Sequence, residues 1–289
     1  MLHAAIRDSR EAKLPSRDTN IRRKDAAPSG WTIVRCPTID STNAEAHRRL
    51  AAGLAEKTVI LASCQTAGRG RGIRVWESAA DKGLWASFVL PVAVPCAALP
   101  QATLVLAVAV REAVERASGV RLLTKWPNDL LYGSRKCCGL LVETGMTAAA
   151  PRMRRHAVPA TLVLGIGLNV NHLADDFPAD LREKASSLRL ATGREHRCEH
   201  MLPDMLAGVD HWFCLWAEQG FAPVREAWLA ASCTLGKRIV LPDGYGYPHG
   251  TAHDLSPDGA LVALADDGAL VRIDAGEVVF CQARPSPSP

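Results

Sequence analysis

The chain changes texture at Cys233. Before that point, apolar runs of strand length alternate with stretches of helical period. After it, only short β-type runs remain, at Arg238–Leu241, Gly250–Leu255, Leu261–Ala265 and Leu270–Ile273. Between them stand Pro242-Asp243-Gly244, Pro257-Asp258-Gly259 and Asp266-Asp267-Gly268, whose residue types supply turn geometry. About fifty residues of that pattern predict a small all-β barrel. A chain of 289 residues then divides into one large domain and one small one. It is long enough to bury a core without disulfide or metal staples.

Residues 1–30 are polar, with seven Lys/Arg against four Asp/Glu and no sustained apolar period. They predict a disordered tail, and residues 284–289, Pro-rich, a second one. The large domain is expected over residues 31–232 and the small one over 233–283. Ser41 or Thr42 is placed to cap a helix that runs to Leu50, with Glu45 in its first turn. Strands are expected at Thr58–Ser63, Leu84–Leu90, Arg121–Lys125, Asp129–Tyr132, Lys136–Glu143 and Ala160–Asn169. Helices are expected at Ala102–Ala117, Glu199–Glu218 and Ala222–Ala231, and a surface loop at Thr147–Pro159. Strands and helices mixed in this way predict an α+β domain with a mixed central sheet flanked by helices.

Several function classes drop out early. A net charge of +4 is too small to imply a nucleic-acid binder by itself. The nine cysteines are scattered without a Cys-x-x-Cys pair, which predicts reduced thiols in a cytoplasmic protein. The N-terminus lacks the apolar core of a signal peptide. The most apolar stretch, Leu99–Val110, falls short of the roughly twenty residues a membrane span requires.

Chemistry concentrates in two segments. Gly68-Arg69-Gly70-Arg71-Gly72-Ile73-Arg74 interleaves glycines with arginines. Glycine lets the backbone approach a ligand closely, and guanidinium matches phosphate bidentately. An RNA-binding loop or a solvated turn fits the spacing as well. The spacing is neither that of a Walker A loop nor that of a dinucleotide-binding turn. Lys125-Trp126-Pro127-Asn128-Asp129 offers a cation, an amide and a carboxylate; Asp129 could hold Mg²⁺ or a ribose hydroxyl, and a plain β-turn fits too. Lys136 enters an apolar strand, as a snorkelling edge residue or a placed charge. Gly165-Ile166-Gly167 suits a backbone pressed against a ligand or another strand. His196-x-Cys198-x-His200 lacks a fourth metal ligand nearby. No residue is assigned to a metal.

In order and spacing, Ser41-Thr42-Asn43, Gln65-Thr66-Ala67-Gly68-Arg69-Gly70-Arg71 with Trp76, Lys125-Trp126-Pro127-Asn128-Asp129, Lys136 with Gly139 and Glu143, and Gly165-Ile166-Gly167-Leu168-Asn169-Val170-Asn171 together resemble the biotin–protein ligase family. Ala185-Ser186-Ser187-Leu188 and the stretch from Gly250 to Gly276 extend the resemblance, which covers residues 31–281. It implies a class II synthetase-like catalytic domain and an SH3-like C-terminal barrel. It also implies ATP and biotin as substrates, Mg²⁺, and the biotin carboxyl carrier protein of acetyl-CoA carboxylase as acceptor, with a homodimer left open. Two departures stand out. Ile73 replaces a usual glycine, with Gly72 one place earlier, and Cys137-Cys138 replace small or aliphatic residues. Repressor members carry an N-terminal helix-turn-helix domain of some fifty residues or more. The thirty polar residues here imply a ligase without DNA binding.

Carried over, the family's roles put Ser41, Thr42, Asn43, Gln65, Arg69, Gly70, Arg71, Trp76 and Lys136 around biotin. Arg74, Lys125, Asn128, Asp129, Lys136 and Asn169 fall on the ATP side, with Lys136 and Arg71 catalytic. The resemblance implies adenylation of biotin followed by transfer to a lysine. Lipoate–protein ligation and non-enzymatic RNA binding are the alternatives. The Gly/Arg loop is expected to be unstructured until ligand orders it.

Overall fold

A computed structural model describes residues 22–26, 30–54, 56–145 and 158–281. The expected surface loop at 147–159 lies almost wholly outside these residues. The chain opens with strands β1 (Arg22–Ala26) and β2 (Thr32–Ile39), helix α1 (Thr42–Ala51), and strands β3 (Thr58–Gln65) and β4 (Gly83–Val94). Helix α2 (Ala102–Ser118), strands β5 (Leu123–Lys125), β6 (Asp129–Tyr132), β7 (Arg135–Gly145) and β8 (Val158–Asn169), and helices α3 (Leu188–Thr192), α4 (Leu202–Gln219) and α5 (Ala222–Ala230) complete the large unit. Strands β9 (Arg238–Val240), β10 (His249–Leu255), β11 (Leu261–Ala265), β12 (Leu270–Ile273) and β13 (Val279–Phe280) form the small one.

The large unit is an eight-stranded sheet in the order β1-β2-β3-β4-β8-β7-β6-β5. Only β2 and β3 run parallel; the remaining neighbours are antiparallel. The period-2 geometry of strands sorts side chains between two faces. Ile60, Val89 and Val163 meet Ala46 and Leu50 of α1 on one face. Val59, Leu61, Phe88, Leu164 and Ile166 join the core of α2, α4 and α5 on the other. Burying a side chain of this size contributes roughly 1.5–3 kcal/mol. The α2 segment with its preceding turn is apolar enough to cross a membrane by length and composition, yet most of it is buried within the protein.

The small unit is an antiparallel sheet ordered β12-β11-β10-β9-β13. Among the described residues β12 and β13 do not pair with each other, so the expected barrel is not closed by a continuous ladder. Its apolar side chains, including Ile239, Leu255 and Ile273, run into the same core as α2 and α4.

One correction concerns the expected tail over residues 1–30. Residues 22–26 pair antiparallel with β2 and make the edge of the large sheet. An edge strand needs only main-chain partners, and β2 offers an open row of them. The polar sequence Arg22-Arg23-Lys24-Asp25-Ala26 therefore carries no apolar alternation by which it could have been read.

Candidate active site

Helix α1 begins where the sequence reading put it. Ser41 is extended (φ −153°, ψ 136°) and its Oγ accepts from the Ala44 amide at 3.4 Å. That cap directs Thr42 and Asn43 inward. Gln65, the last residue of β3, accepts from the Thr42 amide at 2.8 Å and from Thr42 Oγ1 at 3.1 Å. Its other amide atom, Nε2, donates to Ser78 Oγ at 2.8 Å. Ser87, fully buried in β4, lies 2.7 Å from Thr42 Oγ1 and 2.6 Å from Asn43 Oδ1. Ser41, Thr42, Asn43 and Gln65 thus form the polar wall of one cleft, the last three joined by hydrogen bonds directly or through Ser87.

The floor of the cleft is the small-residue stretch of β7 and β8. Gly139 faces Gly167, and Leu141 faces Gly165, across the strand pair. A Cβ at Gly167 would sit 2.6 Å from Trp76 Nε1, and one at Gly139 would sit 2.6 Å from the same indole ring. A Cβ at Gly165 would collide with Asn43 Oδ1. The glycines therefore make room for Trp76 and Asn43.

The Gly/Arg segment closes the cleft from above. Trp76 N donates to Gly68 O at 2.9 Å, Gly70 N donates to Arg74 O at 2.8 Å, and Arg69 bridges Val75. The result is a short hairpin. Gly72, at φ 65°, sits in its turn. An extended or helical residue would not serve there, so the displaced glycine still performs the turn, and Ile73 beside it projects wholly into solvent.

Each loop arginine that reaches the cleft is held by the protein itself. Arg69 pairs with Glu143 at 2.9 Å. Arg71 donates to the Gly276 carbonyl at 3.1 Å, and Arg74 pairs with Glu277. That pairing holds the Glu277 carboxyl below its ordinary range and raises Arg74. The turn between β12 and β13 is thereby attached to the loop.

On the opposite wall, Lys136 Nζ lies 2.7 Å from Asp129 Oδ1 and 5.1 Å from the centre of the Trp76 ring. The Lys136 main chain is fixed on both sides: its N–H donates to Lys184 O and its carbonyl accepts from Ser186 N. Asn128 Nδ2 donates to Leu140 O at 2.9 Å, which locks the turn before β6. Trp126 is tied to the small unit through Thr234 Oγ1 and the Gly259 carbonyl, and the Trp126–Pro127 peptide is cis. Lys125 lies 5.0 Å from the Phe280 ring centre.

The structure thus brings Ser41, Thr42, Asn43, Gln65, Arg69, Gly70 and Arg71 to one cleft with Arg74, Trp76, Lys125, Asn128, Asp129 and Lys136. Asn169 is the exception. It lies on the same strand face as Gly165 and Gly167 but beyond Trp76 and Lys136, buried, with its amide donating to Ser186 O at 3.0 Å. It borders an adjoining depression that shares Arg74, Trp76, Lys125, Asp129 and Lys136 with the main cleft. Ser87, Ser78, Glu143 and Glu277 belong to the network and were not singled out as site residues from sequence. A lone hydroxyl in the apolar run of β4 was the only cue for Ser87.

Cys137 and Cys138 are fully buried beside the cleft, and burial pushes the Cys137 thiol up to about 12. They act as small apolar side chains. The His196-x-Cys198-x-His200 stretch does not assemble a metal centre: among the described residues no group of three His, Cys, Asp or Glu side chains could hold an ion.

The chain matches the profile of the biotin/lipoate A/B protein ligase family over residues 36–150 and that of the biotin protein ligase C-terminal domain over residues 234–281. It is 33% identical to the bifunctional ligase/repressor BirA of Bacillus spizizenii, over 83% of this chain and 71% of that protein. It is 34% identical to a biotin–[acetyl-CoA-carboxylase] ligase of Paracoccus denitrificans, over 83% of this chain and 97% of the relative. The fold superposes on the biotin protein ligase of Aquifex aeolicus in complex with biotin and ATP with a TM-score of 0.69 and 26% identity, covering 87% of this chain and 99% of the other. Fold, cleft and sequence agree that the chain belongs to the biotin protein ligase family.

Proposed function

We infer that the protein is an ATP-dependent biotin–protein ligase, and that the cleft between α1, the Gly68–Trp76 hairpin and Lys136 is its active site. The observation that carries this reading is the junction, within one cleft, of a neutral hydrogen-bonding wall with a cluster of cations. The neutral wall (Ser41, Thr42, Asn43, Gln65) suits the ureido head of biotin. The cations (Arg69, Arg71, Arg74, Lys125 and Lys136) suit a carboxylate and a polyphosphate. The relatives named above, ligases of biotin rather than of lipoate, support biotin as the acid. The loop arginines are paired inside a cleft rather than spread along an open strip, which does not suit an RNA surface.

In the first step a biotin carboxylate oxygen forms a bond to the α-phosphorus of ATP, and the bond to the bridging oxygen breaks to release pyrophosphate. In the second, the neutral ε-amine of the acceptor lysine bonds to the acyl carbon of the adenylate, the acyl carbon–oxygen bond breaks to release AMP, and the extra amine proton passes to solvent. Negative charge develops on phosphoryl and acyl oxygens in both steps, so a fixed ammonium at Lys136 and the guanidinium of Arg71 are placed to stabilise it. Their internal partners, Asp129 and the Gly276 carbonyl, keep them in position before substrate arrives. The cysteines, none in a disulfide, and the use of ATP suit a cytoplasmic enzyme.

The carboxylates among the phosphate cations, Asp129 and Glu277, are each already paired, with Lys136 and with Arg74. This fits a Mg²⁺ that arrives on the nucleotide phosphates and gains at most a carboxylate from the protein. When bound, such an ion neutralises phosphate charge. The acceptor is the biotin carboxyl carrier protein of acetyl-CoA carboxylase. Incubating the protein with ATP, Mg²⁺, biotin and a purified carrier domain should add one biotinyl group to a single carrier lysine by mass spectrometry. A carrier left unmodified would contradict this reading.

A further inference from the structure

Beyond the cleft wall, on the same face of β7 and β8, the next cross-strand pair after Leu141 and Gly165 is Glu143 opposite Val163. Glu143 does not line the cleft. It touches residues that do. Its Oε1 pairs with Arg69 Nη2 at 2.9 Å, while its Oε2 accepts from Asn43 Nδ2 at 2.8 Å and lies 3.3 Å from His47 Nε2. Asn43 continues the chain, its Oδ1 lying 2.6 Å from Ser87 Oγ, which also contacts Thr42 Oγ1. Gly165 is what allows this, because any side chain there would occupy the place of the Asn43 amide.

We propose that Glu143 is a positioning residue that couples the arginine hairpin to the polar wall of the pocket. One carboxylate fixes the base of the hairpin through Arg69 and the orientation of the Asn43 amide at once. A carboxylate only accepts, so Glu143 obliges the Asn43 amide to turn its Nδ2 toward it and its Oδ1 toward Ser87. Arg69 is about half exposed, so the pair itself contributes little to global stability. Its effect falls on the geometry that biotin meets, hence on ground-state binding rather than on the phosphoryl step.

This inference rests on the assignment of the cleft to biotin, and two readouts on the full chain separate the two. The first is hydrogen–deuterium exchange without ligand. In Glu143→Gln the amides of Gly70 and Trp76, both bonded within the hairpin, should exchange about tenfold faster as the hairpin opens more often. Unchanged exchange overturns the coupling whatever the substrate. The second is biotin-dependent pyrophosphate release. Glu143→Gln should raise KM for biotin about tenfold with kcat within about twofold, the signature of lost uniform binding. Adding Glu143→Gln to Arg69→Gln should raise KM by no more than about twofold over Arg69→Gln alone, because Glu143 acts largely through Arg69. Independent, multiplicative effects, or a fall in kcat with KM unchanged, overturn the positioning role. Glu143→Asp retains the charge one methylene short and should give an intermediate KM; it carries the test if the glutamine variant does not fold. A wild-type protein without biotin-dependent release would instead remove the assignment of the cleft, and exchange would still judge the coupling.

Discussion

Lys136 of β7 stands opposite Leu131 rather than Asp129, yet its side chain reaches along the strand pair to Asp129, with Nζ and Oδ1 2.7 Å apart, and the same ammonium lies 5.1 Å from the centre of the Trp76 ring. The lysine is thus held by a carboxylate on one side and an aromatic face on another, with its main chain bonded to residues 184 and 186. A cation fixed in this way needs no rearrangement as charge develops on a phosphoryl oxygen.

Replacing Lys136 by alanine is therefore expected to leave the fold intact and to slow adenylation by about 10²–10³-fold, as for removal of one preorganised donor. Single-turnover pyrophosphate release measures it. A rate within threefold of wild type would remove Lys136 from the chemistry.

Gly167 and Trp76 give a steric test. A methyl group at residue 167 would stand 2.6 Å from the indole nitrogen, so Gly167→Ala must displace Trp76 or strain β8. The expected destabilisation is about 1–3 kcal/mol, typical of overpacking, together with weaker biotin binding. Combining it with Trp76→Ala should abolish the stability penalty of the glycine change. Urea unfolding of the four proteins checks this; a penalty that persists in the double variant would mean that Trp76 is not what Gly167 accommodates.

His172 gives a pH dependence. It is buried between Phe177, stacked at 4.8 Å, and the edge of Trp85. Burial lowers its pKa to about 4 from the ordinary 6.5. Below pH 6.5 the unfolded chain takes up a proton that the folded chain refuses. Stability should fall as pH drops from 6.5 toward 4 and level off with respect to this group below that, a loss on the order of 1–3 kcal/mol. His172→Phe keeps a ring and has nothing to titrate, so its unfolding free energy should fall less steeply over the same window. Parallel profiles for the two proteins would assign the slope to other groups.

The sequence made the order of elements legible because strand and helix periods are local signals. β6, β11 and β12 fall on the residues their alternation marks, and Ser41 caps α1 as its side chain and position suggest. Elements without a local signal were missed: β13 has two residues, α3 has five, and β1 is a polar edge that exists through main-chain pairing with β2. At the site, the Gly/Arg and Lys-Trp-Pro-Asn-Asp segments announced themselves by composition. Glu277 did not, and Glu143 entered only within the family motif and without a role, because a carboxylate acquires its role only when Arg74 or Arg69, distant in sequence, folds onto it.

The edge position of β1 also defines what the head of the chain contributes. Among the described residues β1 pairs only with β2, and three strands of the sheet separate it from β8. A chain beginning at Ser29 should retain adenylation and lose no more than roughly 2–4 °C in Tm, the equivalent of about 1 kcal/mol. Calorimetry alongside the release assay decides this. A collapse of activity would place the head in the catalytic cycle.

The central claim is that the cleft activates biotin. Pyrophosphate release by the wild-type protein, measured with ATP and Mg²⁺ in the presence of biotin, of lipoate and of neither acid, tests it most directly. Release that depends on biotin, is slowed about 10²–10³-fold in Lys136→Ala and stays at the no-acid background with lipoate is the expected result. Release supported equally well by lipoate, or no biotin-dependent release at all, would contradict it.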